Sequence, residues 1–184
     1  MRRVSGYFIT GTDTGVGKTW VTLALMKTMQ NEGKVVVGMK PVASACVETR
    51  EGPRNGDALS ILKQSSRPVN YNTVNPYAFQ HPVAPHIAAG LVGAIIDIEK
   101  IAGEFNNLIK DSDCVLVEGI GGWCVPLGGE IMLSALVARL DLPVILVVGL
   151  RLGCINHALS TVRAMREDGA RLYGWGSSQV DANY

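Results

Sequence analysis

GTDTGVGKT, the stretch from Gly11 through Thr12, Asp13, Thr14, Gly15, Val16, Gly17 and Lys18 to Thr19, decides how this chain is read. It follows a short apolar run, Tyr7 to Thr10, and opens a long helical pattern from Lys18 to about Gln30. Strand, glycine-rich turn and helix in that order gather backbone N–H groups around a phosphate chain, and the helix N-terminus adds partial positive charge. In such a loop the lysine reaches the terminal phosphates and the next hydroxyl holds Mg²⁺, roles that fall here to Lys18 and Thr19. The spacing departs from the usual pattern: five residues, not four, separate Gly11 from Gly17-Lys18-Thr19. The alternative is an ordinary glycine turn. Placement of the GKT trio between a strand and a helix argues against it.

The rest of the chain supplies a setting for that loop. Its 184 residues suit one domain with a sizeable core. Apolar residues make up 47% and charged ones 18%, which excludes a disordered chain. A net charge of +1 gives no reason to expect nucleic acid or an anionic membrane as partner. Arg2 and Arg3 precede an apolar run too short for a signal peptide, and the longest such run, Pro143 to Leu150, is far below a membrane span. A cytoplasmic protein is expected. Cys46, Cys114, Cys124 and Cys154 form no C-x-x-C pair and are expected as free thiols in or near the core. Cys154 and His157 have half the spacing of a zinc site but lack a second pair, so zinc is not expected.

Short β-rich runs alternate with helical patterns, which predicts an α/β fold: a mostly parallel sheet with helices on both faces. Strands are expected near 6–11, 35–40, 113–118, 143–149 and 171–176, with helices near 18–31, 57–65, 97–110, 131–140 and 155–168. Val35-Val36-Val37, Cys114 to Val117 and Val144 to Val148 are apolar without alternation, as strands buried on both faces are. Gly33 and Gly169 stand where helix ends take a left-handed residue. Arg50 to Asp57 reads as a loop, and Asn70 to His86, rich in proline, as mostly irregular.

Ligands of open parallel sheets lie beyond the carboxyl ends of the strands. The second strand ends in Lys40-Pro41, the third in Glu118-Gly119 followed by Gly121-Gly122-Trp123. The fourth leads through Arg151 and Gly153 into a helix whose free N–H groups suit another anion. Lys40 and Glu118 directly follow apolar strands that meet at one crevice, which favours function over a solvated lysine and an ordinary turn charge. Neither Lys18 nor Lys40 is expected in the core. Asp57 either caps the helix after it or binds metal. His81, His86 and His157 are expected to be structural or exposed.

These segments together resemble the dethiobiotin synthetase family. The matching pieces are GTDTGVGKT (11–19), GMKPVAS (38–44), RNGDAL (54–59), TVNPYAF (73–79), PHIAA (85–89), VLVEGIGGW (115–123) and LPVILVVGLRLGCINHA (142–158). The resemblance covers most of the chain in the family's order and includes the five-residue spacing in the loop. It implies a phosphate-loop fold, ATP and Mg²⁺ as cofactors, and 7,8-diaminononanoate and CO₂ or bicarbonate as substrates. One amine captures CO₂ as a carbamate, the carbamate attacks the γ-phosphate, and the second amine closes the cyclic urea.

The residue roles follow from the same resemblance. Lys18, Lys40, Thr14 and Ser44 carry the reaction, and Thr19, Asp57 and Glu118 hold the metal. Gly11 to Thr19 with Glu118, Gly119, Gly121 and Gly122 bind the nucleotide. Lys40, Ser44, Gly153, Cys154, Ile155 and Asn156 bind substrate, in a homodimer whose site lies at the subunit interface. Another phosphate-loop ligase or a non-synthetic ATPase switch remains as an alternative. The motifs GMKPVAS and GCINH, with Thr12 where switch ATPases carry a lysine, argue against both. Three positions depart from the family: Arg151 stands for a lysine, Ala84 for a serine of some relatives, and Ser178 for the Asn that recognises adenine. With a chain ending at Tyr184, this implies one domain without the family's C-terminal tail and weakened recognition of the base.

Overall fold

The computed structural model describes residues 6–180, so the readings on Arg2, Arg3 and Tyr184 lie outside the described residues. The chain runs β1 (Gly6–Gly11), α1 (Lys18–Asn31), β2 (Val36–Met39), β3 (Val42–Ala43), α2 (Gly56–Gln64), α3 (Tyr71–Val74), β4 (Tyr77–Ala78) and α4 (Pro85–Leu91). It continues with α5 (Ile98–Ile109), β5 (Cys114–Glu118), β6 (Pro126–Gly128), β7 (Ile131–Met132), α6 (Leu133–Leu140), β8 (Val144–Leu150), α7 (Cys154–Glu167) and β9 (Leu172–Gln179).

Five of these strands form one parallel sheet in the order β2-β5-β1-β8-β9. β2 and β5 are buried at every residue, as expected of apolar runs covered on both faces. One core cluster joins Phe8, Val37, Val115 and Val117 to Ile101, Phe105, Leu136 and Met165. The other joins Ile9, Val36, Leu116 and Val147 to Met26 and Ile61. Gly38 permits close packing on that side, since a Cβ there would come within 2.3 Å of the Ile61 side chain.

The five expected strands and five expected helices all form, with ends displaced by no more than three residues. Gly33 and Gly169 have φ of 81° and 70°, the left-handed geometry their places require. Two segments are more ordered than expected. Arg54 pairs with Val47 across the 50–57 loop, and α2 starts at Gly56. Within 70–86 the chain forms α3, β4 and the start of α4. Asn70 caps α3, and Pro85 occupies a first-turn position that needs no N–H donor. The thiol expectation needs correcting too: Cys46 and Cys114 are buried, but Cys124 is exposed, in the loop after Trp123 has taken the inward position. Among the described residues, no helix is long and apolar enough to cross a membrane.

Candidate active site

The carboxyl ends of β1, β2 and β5 open onto a cavity of about 780 Å³. Asp13, Thr14, Gly15, Gly17, Lys18 and Thr19 line it from the loop after β1, with Lys40 and Ser44 beyond β2. Asp57 reaches it from α2, and Glu118, Gly121 and Gly122 from the end of β5. Gly11, Thr12, Val16 and Gly119 stand behind this lining. Thr12 N–H donates to Val147 O at 3.0 Å and Gly119 N–H to Ile9 O at 2.9 Å, which fastens both loops to the sheet. Gly17 ends the loop with φ of 86° as the cap of α1, and a Cβ there would come within 2.5 Å of the Ser178 hydroxyl. Ser178, on β9, therefore sits directly against the phosphate loop.

Glu118 organises the centre. It is wholly buried; Oε1 accepts from Thr19 Oγ1 at 2.9 Å and from Lys40 Nζ at 2.6 Å. Its other oxygen, Oε2, is buried without a hydrogen-bond partner. A buried carboxylate oxygen without a donor, beside a hydroxyl and the half-exposed Asp57 carboxylate, is a donor set suited to Mg²⁺.

Both lysines are more buried than the sequence suggested: Lys18 is 7% and Lys40 5% exposed. Each is held by protein acceptors. Lys18 Nζ donates to Asp13 O and Gly121 O, both at 2.7 Å, and Lys40 Nζ also donates to Gly119 O at 3.2 Å. Burial first, and then the neighbouring Lys40 charge, lower the Lys18 ammonium to about 8. Asp57 does not cap α2; Asn55 does, accepting from Ala58 N–H at 3.1 Å, which leaves the Asp57 carboxylate 3.6 Å from Lys40 Nζ. Of its two readings, capping is therefore excluded. The Ser44 hydroxyl is buried without a partner at the cavity wall.

Arg151 pairs with Asp13 at 2.5 Å across two loops, and Asp13 Oδ1 accepts from Thr14 N–H at 2.7 Å. That backbone bond first, then Arg151, holds the Asp13 carboxyl below its ordinary value. Gly153 to Asn156 do not line the cavity. They start α7; Leu152 just before it and Ile155 and Leu159 on it are exposed at 82%, 74% and 56%. None of the three histidines lines the cavity either.

Several lining residues had not been singled out from sequence as site residues: Trp20, Asn55, Pro82, Val83 and Val125. Trp20 immediately follows Thr19, and its 79% exposure would have been hard to foresee for so apolar a ring.

An AAA domain family model matches residues 5–179. "ATP-dependent dethiobiotin synthetase BioD" of Cellvibrio japonicus (strain Ueda107) is 48% identical over 177 residues, covering 96% of this chain and 78% of the relative. Its counterpart in Xanthomonas euvesicatoria pv. vesicatoria (strain 85-10) is 46% identical, covering 95% and 78%. That of Xylella fastidiosa (strain 9a5c) is 44% identical, covering 97% and 79%. Among solved structures, the kinase domain of Escherichia coli tyrosine kinase ETK superposes with a TM-score of 0.59 at 14% identity, covering 100% of this chain and 73% of that one. The MinD cell division protein of Aquifex aeolicus gives 0.53 at 21%, covering 94% and 68%. At these identities the two structures share the fold alone.

Proposed function

The chain belongs to the ATP-dependent dethiobiotin synthetase family, a family of ligases in biotin biosynthesis, and on that premise we propose how its cavity performs the synthesis. One amine of 7,8-diaminononanoate adds to CO₂ and loses a proton, giving a carbamate. A carbamate oxygen attacks the γ-phosphorus of ATP, the bond to the β,γ-bridging oxygen breaks, and ADP departs. The second amine then attacks the carbonyl carbon of the mixed anhydride, expels phosphate and loses a proton as the cyclic urea closes. The protein contributes no nucleophile. It positions the carbamate in line with the γ-phosphate and offsets the charge that gathers there.

The observation that carries this reading is the burial of Lys18 and Lys40, from two different strand ends, at one cavity beside Glu118. Their ammonium groups face the place where a transferring phosphoryl group spreads its charge. Backbone N–H groups of Gly15, Gly17, Lys18 and Thr19 hold the phosphates, with Thr14 beside them; Gly121 and Gly122 form the opposite wall, and Gly119 braces it from behind. Ser44, whose buried hydroxyl has no protein partner, takes a substrate amine or the carbamate. Thr19, Glu118 and Asp57 would hold Mg²⁺, which would supply positive charge to offset that of the phosphates.

A second copy of the chain belongs to this reading. Leu152, Ile155 and Leu159 leave an exposed apolar stripe beside the N-terminus of α7. Pairing through that stripe would cover it and bring the N–H groups of Gly153 to Asn156 to the substrate's distal carboxylate. A chain that sediments as a monomer while turning over would contradict the shared site. The chemistry is tested by measuring phosphate release with the diamine and bicarbonate omitted in turn. Release that needs both supports the reading; ATP hydrolysis indifferent to both contradicts it.

A further inference from the structure

Lys40 and Ser44, four residues apart, and Asp57 on α2 come from two segments, and one set of hydrogen bonds ties these together behind the cavity. Asn75, 3% exposed, donates from Nδ2 to Lys40 O at 2.6 Å. Tyr71 lies at the centre: its hydroxyl donates to Asn75 Oδ1 at 2.8 Å and accepts from the Asn55 backbone N–H at 2.7 Å. Asn55 in turn caps α2, the helix that carries Asp57, and donates from Nδ2 to Ser44 O at 3.3 Å. The Tyr71 ring is buried, with the Arg54 guanidinium 4.2 Å from its centroid, so the hydroxyl is held in place from both sides. Burial also pushes the phenol up, away from ionisation, which keeps it a donor.

We propose that Tyr71 is a positioning residue for phosphoryl transfer, its hydroxyl setting the Lys40 side of the cavity against the Asp57 side. The proposal rests on the reaction assigned above. Lys40 Nζ stands 3.6 Å from Asp57 Oδ2, so a small slip between the two sides changes what the ammonium faces. Without the hydroxyl, the Asn55 N–H and Asn75 Oδ1 each lose a partner, and the link from α2 to Lys40 through Asn75 is cut, leaving the longer Asn55–Ser44 bond and the Arg54 stacking. Such networks are worth more together than as separate bonds. A misplacement of about 1 Å can cost a reaction roughly a hundredfold, so a partial slip is expected to cost about tenfold.

Tyr71→Phe keeps the ring and its stacking and removes the hydroxyl. Dethiobiotin formation should fall about tenfold in kcat, while KM for ATP stays within about twofold because the phosphate loop is untouched. The same substitution in a Lys40→Met background should have no further effect on kcat, since it acts through Lys40. Asn75→Ala serves as a second variant should Tyr71→Phe fail to fold: it cuts the link to Lys40 but leaves the α2 cap, and should show the same kcat loss. A kcat within about twofold of the parent in a folded variant, or an equal loss with and without Lys40, overturns the proposal. Failure of the underlying reaction would appear earlier, as no dethiobiotin from the unaltered chain.

Discussion

Replacing Lys40 with Met separates the structural and chemical roles of the buried pair at the cavity. Glu118 has no exposed surface, and Lys40 Nζ lies 2.6 Å from its Oε1. Removing one member of a buried pair costs about 3–5 kcal/mol, because the remaining charge is left without compensation. Thr19 still donates to Glu118 at 2.9 Å, which places the expected loss near the lower end, about 3 kcal/mol. For a chain of this size that lowers Tm by roughly 6–12 °C. Lys40→Met/Glu118→Gln should recover at least half of the loss, since removing both partners is far cheaper than removing one. Turnover should not recover: the single variant loses two or more orders of magnitude, on the order of 3 kcal/mol of transition-state stabilisation. Urea unfolding and diamine-dependent phosphate release on the same preparations give both numbers. A single variant as stable as the parent, or a double variant no more stable than the single, would refute the argument.

Other outcomes follow from the same geometry. Lys18 titrates near 8 when folded, against about 10.4 for a free lysine, so the unfolded chain binds more protons between these values and stability rises with pH across that window. Phosphates favour the charged lysine; ATP should therefore bind more weakly, and with proton uptake, as pH climbs through about 8. Calorimetry in buffers of different ionisation heat measures this, and an affinity flat up to about pH 9.5 would count against it. Thr19→Val should raise the Mg²⁺ needed for half-maximal turnover by about tenfold or more and, by taking a donor from the buried Glu118, cost about 1.5 kcal/mol, or roughly 3–6 °C in Tm; a chelator should abolish turnover reversibly. Asn55→Ala removes the α2 cap and should cost about 1 kcal/mol, or roughly 2–4 °C in Tm, together with a rise in the KM of the diamine as Ser44 loosens. An unchanged melting curve would show that the cap is dispensable.

The sheet was legible because β2, β5 and β8 are apolar throughout and each ends in a residue that sequence alone marks as chemical: Lys40, Glu118, Arg151. The phosphate loop is legible because the trio Gly17-Lys18-Thr19 stands between an apolar run and a helical pattern. What sequence did not disclose is how the lysines are held. Backbone carbonyls of Asp13 and Gly121 accept from Lys18, and carbonyls carry no sequence signature. Sequence leaves Asp57 between capping and metal binding because the helical pattern opens near it; in the fold α2 starts at Gly56, and Asn55 accepts from Ala58 N–H instead. Tyr71 and Asn75 lay hidden in a proline-rich stretch that reads as irregular. Their importance comes from buried hydrogen bonds to segments far away in sequence, and no periodicity records those.

The central claim is that a carbamate oxygen attacks the γ-phosphate, with the chain's lysines offsetting charge and no protein group intervening. That oxygen must leave with the phosphate when the second amine closes the ring. Turnover started with ¹⁸O-labelled carbon dioxide, and read within the first cycles before exchange with water, tests this directly by mass spectrometry of the released phosphate. The account predicts that each phosphate carries one oxygen from carbon dioxide. Phosphate whose new oxygen comes from water, formed while dethiobiotin accumulates, would contradict it.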